Sequence, residues 1–260
     1  MTNTMTQKTF FGVLLAAMIL LATGTAHAAD ADKAAADSPE AQLSAHLATI
    51  MRGQKPDSVN ESPIPGLYQV AYGTNVFYMT ADGRYLVDGA MIDLTSRRNL
   101  TETARADGRL EAMKAVSVED MIVFPAKEQK HVITVFTDID CPYCQKLHDE
   151  VPELNARGVT VQYMLFPRAG VGSASYNKAV SAWCADDAQQ ALTDAKARKP
   201  IADKTCDNPV RDHMAKGEAI GVTGTPAIVL ENGELIPGYR PAKELADALD
   251  LQAERQAAVR

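Results

Sequence analysis

Hydrophobic positions along this chain change period several times, and each change marks an element. The first run, Phe10 to Ala22, is thirteen apolar residues with Lys8 as the only charge ahead of it. A spanning helix needs about 20 such residues. Ala26-His27-Ala28 then places small residues on either side of one position. The pattern predicts an export signal over residues 1–28, cleaved near Ala28, rather than a membrane span. Residues 29–37 lack any period and are expected to be a disordered lead-in. From Ser38-Pro39, an N-cap with proline at N1, Leu43, Leu47, Ile50 and Met51 recur at helical spacing until Gly53. The period then falls to two. Leu67–Val70, Val76–Met79 and Tyr85–Val87 read as short strands, Asp82-Gly83 as a hairpin turn, and Gly89–Leu94 as a possible fourth strand. Residues 29–98 are therefore expected to form an N-terminal α+β domain.

Asn99 and Glu102 stand at N-cap and N3 spacing and open a helix that runs to about Val116. Its large apolar residues, Leu100, Leu110, Met113 and Val116, do not make a continuous stripe, so residues 99–118 read as a solvent-bridging linker helix. Gly108 should soften it, with a kink there. Residues 119–260 follow an α/β order. Met121–Phe124, Val132–Phe136 and Val159–Phe166 are strands, with a helix between the last two that Pro152 should kink or end. A long helical stretch, Ser173 to Ile220, breaks near Lys199-Pro200. Ala227–Leu230 and Glu234–Ile236 flank Asn232-Gly233 as a second hairpin, and Pro241 opens the last helix. A sheet core with a helical insertion ahead of its last hairpin is the thioredoxin arrangement.

Charge narrows the class of partner. The formal charge of −7 becomes −8 once Lys8 leaves with the signal, and the chain has no block of Lys or Arg. Nucleic acid is therefore not an expected partner. No repeat of solenoid length recurs.

The chemistry sits at Cys141-Pro142-Tyr143-Cys144, just beyond the β-branched strand Val132–Phe136 and on the first turn of a helix. A thiolate is the nucleophile in disulfide exchange, and a helix N-terminus lowers a thiol pKa. Two intervening residues put both sulfurs on one turn, where a disulfide opens and closes. Pro142 suits N1. A c-type haem site would need His after the second cysteine, where this chain has Gln145. A zinc site would need a second close pair, and Cys184 and Cys206 lie far apart. A thioredoxin-like redox pair is the expectation, with no metal and no cofactor. Tyr143 is expected to offer an exposed apolar contact. His148, four residues after Cys144, is expected to be a surface histidine; Asp138 and Asp140 either tune the thiols or shape the hinge, and Arg97-Arg98 reads as a solvated turn.

His131–Ile139 with the cysteine motif, Phe166-Pro167-Arg168, Trp183-Cys184 and Gly221–Ala227 together resemble the periplasmic disulfide isomerases of the DsbC/DsbG family. The resemblance is dense over 119–250. Through the first domain it is looser, carried by Met79–Gly83 and Gly89-Ala90-Met91. It implies that Cys141 attacks, Cys144 resolves, and Thr225-Pro226 forms a cis-proline loop that holds a substrate strand. It also implies that Cys184 and Cys206 form a structural disulfide and that residues 29–98 pair two protomers as a homodimer. The expected substrates are misfolded exported proteins with non-native disulfides, reduced and isomerised in the periplasm. A membrane thiol reductase is the implied electron donor. Pro142 departs from the glycine typical of the isomerase branch, which leaves the redox poise open. A disulfide oxidase and a redox-linked chaperone or thiol protector are the alternatives.

Overall fold

A computed structural model describes residues 38–259. The expected signal segment and the lead-in before Ser38 lie outside the described residues. The chain opens with α1 (Pro39–Ile50), capped by Ser38, whose side chain accepts from the Ala41 N–H. A four-stranded antiparallel sheet follows: β1 (Ser58–Glu61), β2 (Leu67–Tyr72), β3 (Asn75–Thr80) and β4 (Leu86–Val87), in the order β1-β2-β3-β4. Leu43 and Leu47 pack on Tyr68, Val70 and Met79 to make its core. The fourth strand is not the one expected. Gly89–Leu94 contributes β5 (Ile92–Asp93), which pairs instead with β6 (Arg98–Asn99), while the sheet gains Ser58–Glu61. That segment is polar and half-exposed, so no apolar alternation announces it.

Asn99 caps α2 (Leu100–Lys114) by accepting from the Glu102 N–H, as its spacing predicts. The linker reading needs two corrections. The helix runs unbroken through Gly108, and one face of it is packed. A Cβ on Gly108 would lie 2.4 Å from the Gly73 carbonyl oxygen, so glycine here permits a backbone contact instead of kinking the helix. Arg109 is buried, with Nε donating to the Ile220 carbonyl at 3.1 Å and Nη1 to Gly233 at 3.2 Å and to Glu102 at 2.5 Å. Small residues and a buried guanidinium do the packing that a stripe of leucines would otherwise do. The Thr74 hydroxyl adds a bond to the Ala219 carbonyl across the same junction.

A 3-10 turn (Val118–Asp120) leads into β7 (Ile122–Phe124) and then β8 (His131–Thr137). The next elements are α3 (Pro142–Asp149), α4 (Val151–Ala156) and β9 (Val159–Leu165). The break between α3 and α4 falls at Glu150, two residues before Pro152. The insertion holds α5 (Ala174–Trp183), α6 (Ala188–Lys196) and α7 (Val210–Ala219); β10 (Ala227–Val229), β11 (Leu235–Pro237) and α8 (Ala242–Val259) finish the chain. The five-stranded sheet runs β11-β10-β8-β9-β7, with β8 and β9 parallel and the other pairs antiparallel. The parallel pair needs a helical crossover, and α3 and α4 supply it. Ile133, Val135, Val161, Tyr163 and Leu165 lie fully buried at the sheet's centre. This rigid centre holds the C-terminal end of β8, where the cysteines begin.

Candidate active site

Strand β8 ends at Thr137, and the next four residues turn the chain into α3. Asp138 makes that turn. Its carboxylate accepts from the Asp140 N–H, the Arg168 N–H and Nε, and the Ser175 hydroxyl, and its own carbonyl accepts from the Cys141 N–H at 3.3 Å. Burial would raise the Asp138 pKa, but those donors outweigh it and hold the carboxyl below its usual range. Asp138 is thus a buried anchor joining the thiol turn to the Phe166-Pro167-Arg168 loop and to α5. Asp140 pairs with Lys178 at 2.7 Å near the surface.

Cys141 is the N-cap residue of α3, Pro142 is at N1, and Cys144 lies one turn on. Both sulfurs are free thiols. Cys141 Sγ donates to the Thr225 carbonyl at 3.2 Å, and the Thr225–Pro226 peptide bond is cis. Burial would push the Cys141 thiol up; the Cys144 N–H, the Thr225 and Cys144 side chains and the Tyr143 N–H outweigh it, and its pKa is lowered. Cys144 goes the other way. Its deeper burial dominates and pushes it up, against the Lys196 charge, the Asp138 N–H and the Thr137 and Thr225 side chains. Two thiols three positions apart are thereby split into one that ionises readily and one that holds its proton. The Thr225 hydroxyl is buried without a hydrogen-bond partner in this dithiol form, and it lies beside both sulfurs. A donor in that state is satisfied once a neighbouring sulfur becomes an anion.

Tyr143 is 63 % exposed beside the site, whereas Cys141 is only 2 % exposed. The Tyr143 ring stacks loosely on Tyr239 with centroids 6.4 Å apart. Cys184 and Cys206 form a disulfide with Cα atoms 5.7 Å apart. Their separation of 22 residues corresponds to roughly 3 kcal/mol of loop-closure stabilisation. Among the described residues no cluster of three His, Cys, Asp or Glu is arranged to hold a metal ion. No described helix is long and apolar enough to cross a membrane.

His148 corrects the surface reading. It is buried, with Nδ1 3.1 Å from the Tyr163 hydroxyl, Nε2 3.0 Å from Thr193 Oγ1, and Phe124 packed edge-on. Burial, aided by the Lys196 charge, lowers its pKa to about 3. Its helical position behind Cys144 was visible in the sequence, but the covering helix α6 was not. The unfolded chain binds this proton below about pH 6.5, while the folded chain does not until about pH 3. Stability should therefore fall with pH across that window, by roughly 2 kcal/mol from this group between pH 7 and pH 5. Denaturant unfolding at the two pH values should show a smaller loss in His148→Gln; an equal loss contradicts the buried neutral imidazole.

Lys196 and Thr137 escaped the sequence reading, although both sit behind the thiols. The available signal was positional: Lys196 falls four residues after buried Leu192, on the apolar face of α6.

The thioredoxin-like domain family matches residues 118–253, and the disulfide bond isomerase protein N-terminal domain family matches residues 27–102. The thiol:disulfide interchange protein DsbC of Escherichia coli K12 is 41 % identical over 198 residues, covering 76 % of this chain and 83 % of that protein. DsbC of Salmonella typhimurium LT2 is 40 % identical over 238 residues, covering 91 % and 92 %. A crystal structure of a disulfide interchange protein from Neisseria gonorrhoeae matches 52 % of this chain and 96 % of that one, at 33 % identity and a TM-score of 0.48. With both family domains in order and relatives about 40 % identical over most of its length, this chain belongs to the DsbC family of thiol:disulfide interchange proteins.

Proposed function

We propose that the protein reduces and isomerises incorrect disulfides in exported proteins in the periplasm, with Cys141 as nucleophile and Cys144 as resolving thiol. The supporting observation is the division of labour between the sulfurs. Cys141, at the helix mouth, has a lowered pKa, and Cys144, one turn deeper, has a raised one. The Cys141 thiolate attacks a substrate disulfide; one substrate sulfur joins Cys141 and the other leaves as a thiolate. A second substrate thiol then attacks the substrate sulfur and frees Cys141, which reshuffles the pairing. If none arrives, Cys144 attacks Cys141, expels the substrate as a thiol and leaves the enzyme oxidised. A membrane thiol reductase then restores the dithiol. Thr225-Pro226 lies across from Cys141 and suits a substrate strand running alongside it, with Tyr143 as an apolar contact.

Residues 29–98 serve in this reading as a dimerisation domain, 99–118 as the linker and 119–260 as the catalytic domain. Leu86 and Val87, which make the edge strand β4, and Tyr85 just before it are more than half exposed, and Ile92 and Leu94 are exposed close by in sequence. An apolar sheet edge of this kind invites pairing. Val87→Asp should convert a dimer in gel filtration to a monomer and reduce isomerisation about tenfold or more; a monomeric wild type contradicts the paired-site reading.

Reactivation of scrambled ribonuclease by the reduced protein tests the function. Catalytic reactivation is expected. Rapid oxidation of reduced ribonuclease without reactivation would put the oxidase reading first, and suppression of aggregation without either would put the chaperone reading first.

A further inference from the structure

Lys196 is the one buried lysine among the described residues, and its only hydrogen-bond partner among them is the Thr137 hydroxyl, at 2.7 Å. Its ammonium also lies 5.5 Å from the centroid of the Tyr163 ring, and no carboxylate stands within ion-pair distance of it among the described residues. A buried, unpaired ammonium is costly. The same Thr137 side chain is close enough to Cys144 to favour its thiolate. Helix α6 of the insertion therefore delivers a titratable amine to the back of the resolving thiol, through one hydroxyl.

We propose that Lys196, acting through the Thr137 hydroxyl, takes up the Cys144 proton as Cys144 resolves the mixed disulfide on Cys141. It is a positioning residue for that proton. The proposal rests on Cys141 as nucleophile and Cys144 as resolver. In the step, neutral Lys196 accepts the hydroxyl proton of Thr137, and Thr137 accepts the thiol proton of Cys144. Cys144 Sγ bonds to Cys141 Sγ while the bond from Cys141 to the substrate sulfur breaks. The substrate leaves with that electron pair as a thiolate and is reduced; the cysteine pair is oxidised, and the proton rests on Lys196.

The electrostatics fit the role. Burial lowers the Lys196 pKa to about 8, against the pull of Cys144, Asp138, Cys141 and Asp149. His148, also adjacent, stays neutral down to about pH 3, and Tyr163 is buried with a raised pKa, so neither competes for the proton near neutral pH. An amine titrating near the working pH can both accept and return a proton. A lysine held only for structure would not need a hydroxyl linking it to a reactive sulfur.

The test mixes the reduced full chain with one equivalent of a chromogenic aryl disulfide and follows release of the aryl thiol by stopped flow. The first release reports attack by Cys141 and the second reports resolution by Cys144. At pH 7, Lys196→Met should slow the second release about tenfold or more. The wild-type rate of the second release should bend near pH 8, and the variant should lose that bend. Thr137→Val should slow it likewise with the lysine intact, and Thr137→Ser, which keeps the hydroxyl, should recover it; this pair serves also if Lys196→Met fails to fold. A second release within about twofold of wild type in Lys196→Met and Thr137→Val, with an unchanged pH profile, overturns the Lys196 proposal alone. A first release that survives in Cys141→Ser overturns the nucleophile assignment instead.

Discussion

Cys141→Ser is expected to reduce scrambled-ribonuclease reactivation to background, a loss of about three orders of magnitude or more. The effect is large because no other group can form the mixed disulfide. A serine hydroxyl neither ionises near neutral pH nor bonds covalently to a substrate sulfur. Cys144 cannot substitute, since it lies one turn further along α3 and burial raises its pKa. Cys144→Ser should behave differently. Its Cys141 still attacks, so mixed disulfides should accumulate and be visible on a non-reducing gel, and isomerisation should persist where a substrate thiol completes the exchange. Substantial reactivation by Cys141→Ser would place the chemistry elsewhere.

The second large effect concerns stability. Gly233 sits in the β10–β11 turn at φ +80°, and a Cβ there would lie 2.1 Å from the Ala106 carbonyl oxygen of α2. The neighbouring obstacle is helix backbone, which cannot swing aside as a side chain can. Gly233→Ala thus combines a left-handed backbone penalty of about 1–2 kcal/mol with overpacking of about 1–3 kcal/mol. Relief by moving the hairpin would lengthen the bond from Arg109 Nη1 to the Gly233 carbonyl. A loss of about 3 kcal/mol is expected, lowering Tm by about 6–12 °C. Gly170→Ala makes the comparison, because Gly170 has a similar φ of +88° with nothing within 4 Å of the added Cβ. It should lose only the backbone part, about 1–2 kcal/mol. Equal losses in the two variants would mean that α2 does not press on the hairpin.

That junction also shows where the sequence stopped being informative. The strands around Val135 and Val161, the Asn99 cap and the turn at Asn232-Gly233 follow from local periods and capping chemistry, which neighbouring residues carry on their own. The packed face of α2 does not. Its closest contacts run through Gly108 and Ala106, whose small side chains leave no hydrophobic signature, and through Arg109, whose charge reads as solvent-facing until its carbonyl partners at Ile220 and Gly233 are known. The strand Ser58–Glu61 was missed for a related reason: it is held by ladder hydrogen bonds to β2, with Val59 its one apolar side chain on the core.

The active site divides in the same way. The cysteine pair and its helix mouth were legible because local chemistry demands those residue types, whereas Thr225-Pro226 was legible only through the family resemblance. Burial is what separates the two thiols, and the groups packed around them come largely from distant parts of the chain: Lys196 arrives on the insertion, and Arg168 and Ser175 reach Asp138 from beyond β9. His148 was misplaced because only the position of α6 decides whether that face of α3 meets water.

The central claim is that the Cys141 sulfur is poised as an anion while Cys144 keeps its proton. Alkylation of the reduced, folded protein with a small haloacetamide across a pH series, read at each cysteine by mass spectrometry, measures it most directly. The account predicts that Cys141 titrates below the free-thiol value of about 8.5 and Cys144 above it. Labelling of Cys141 that rises only at or above that value would contradict it.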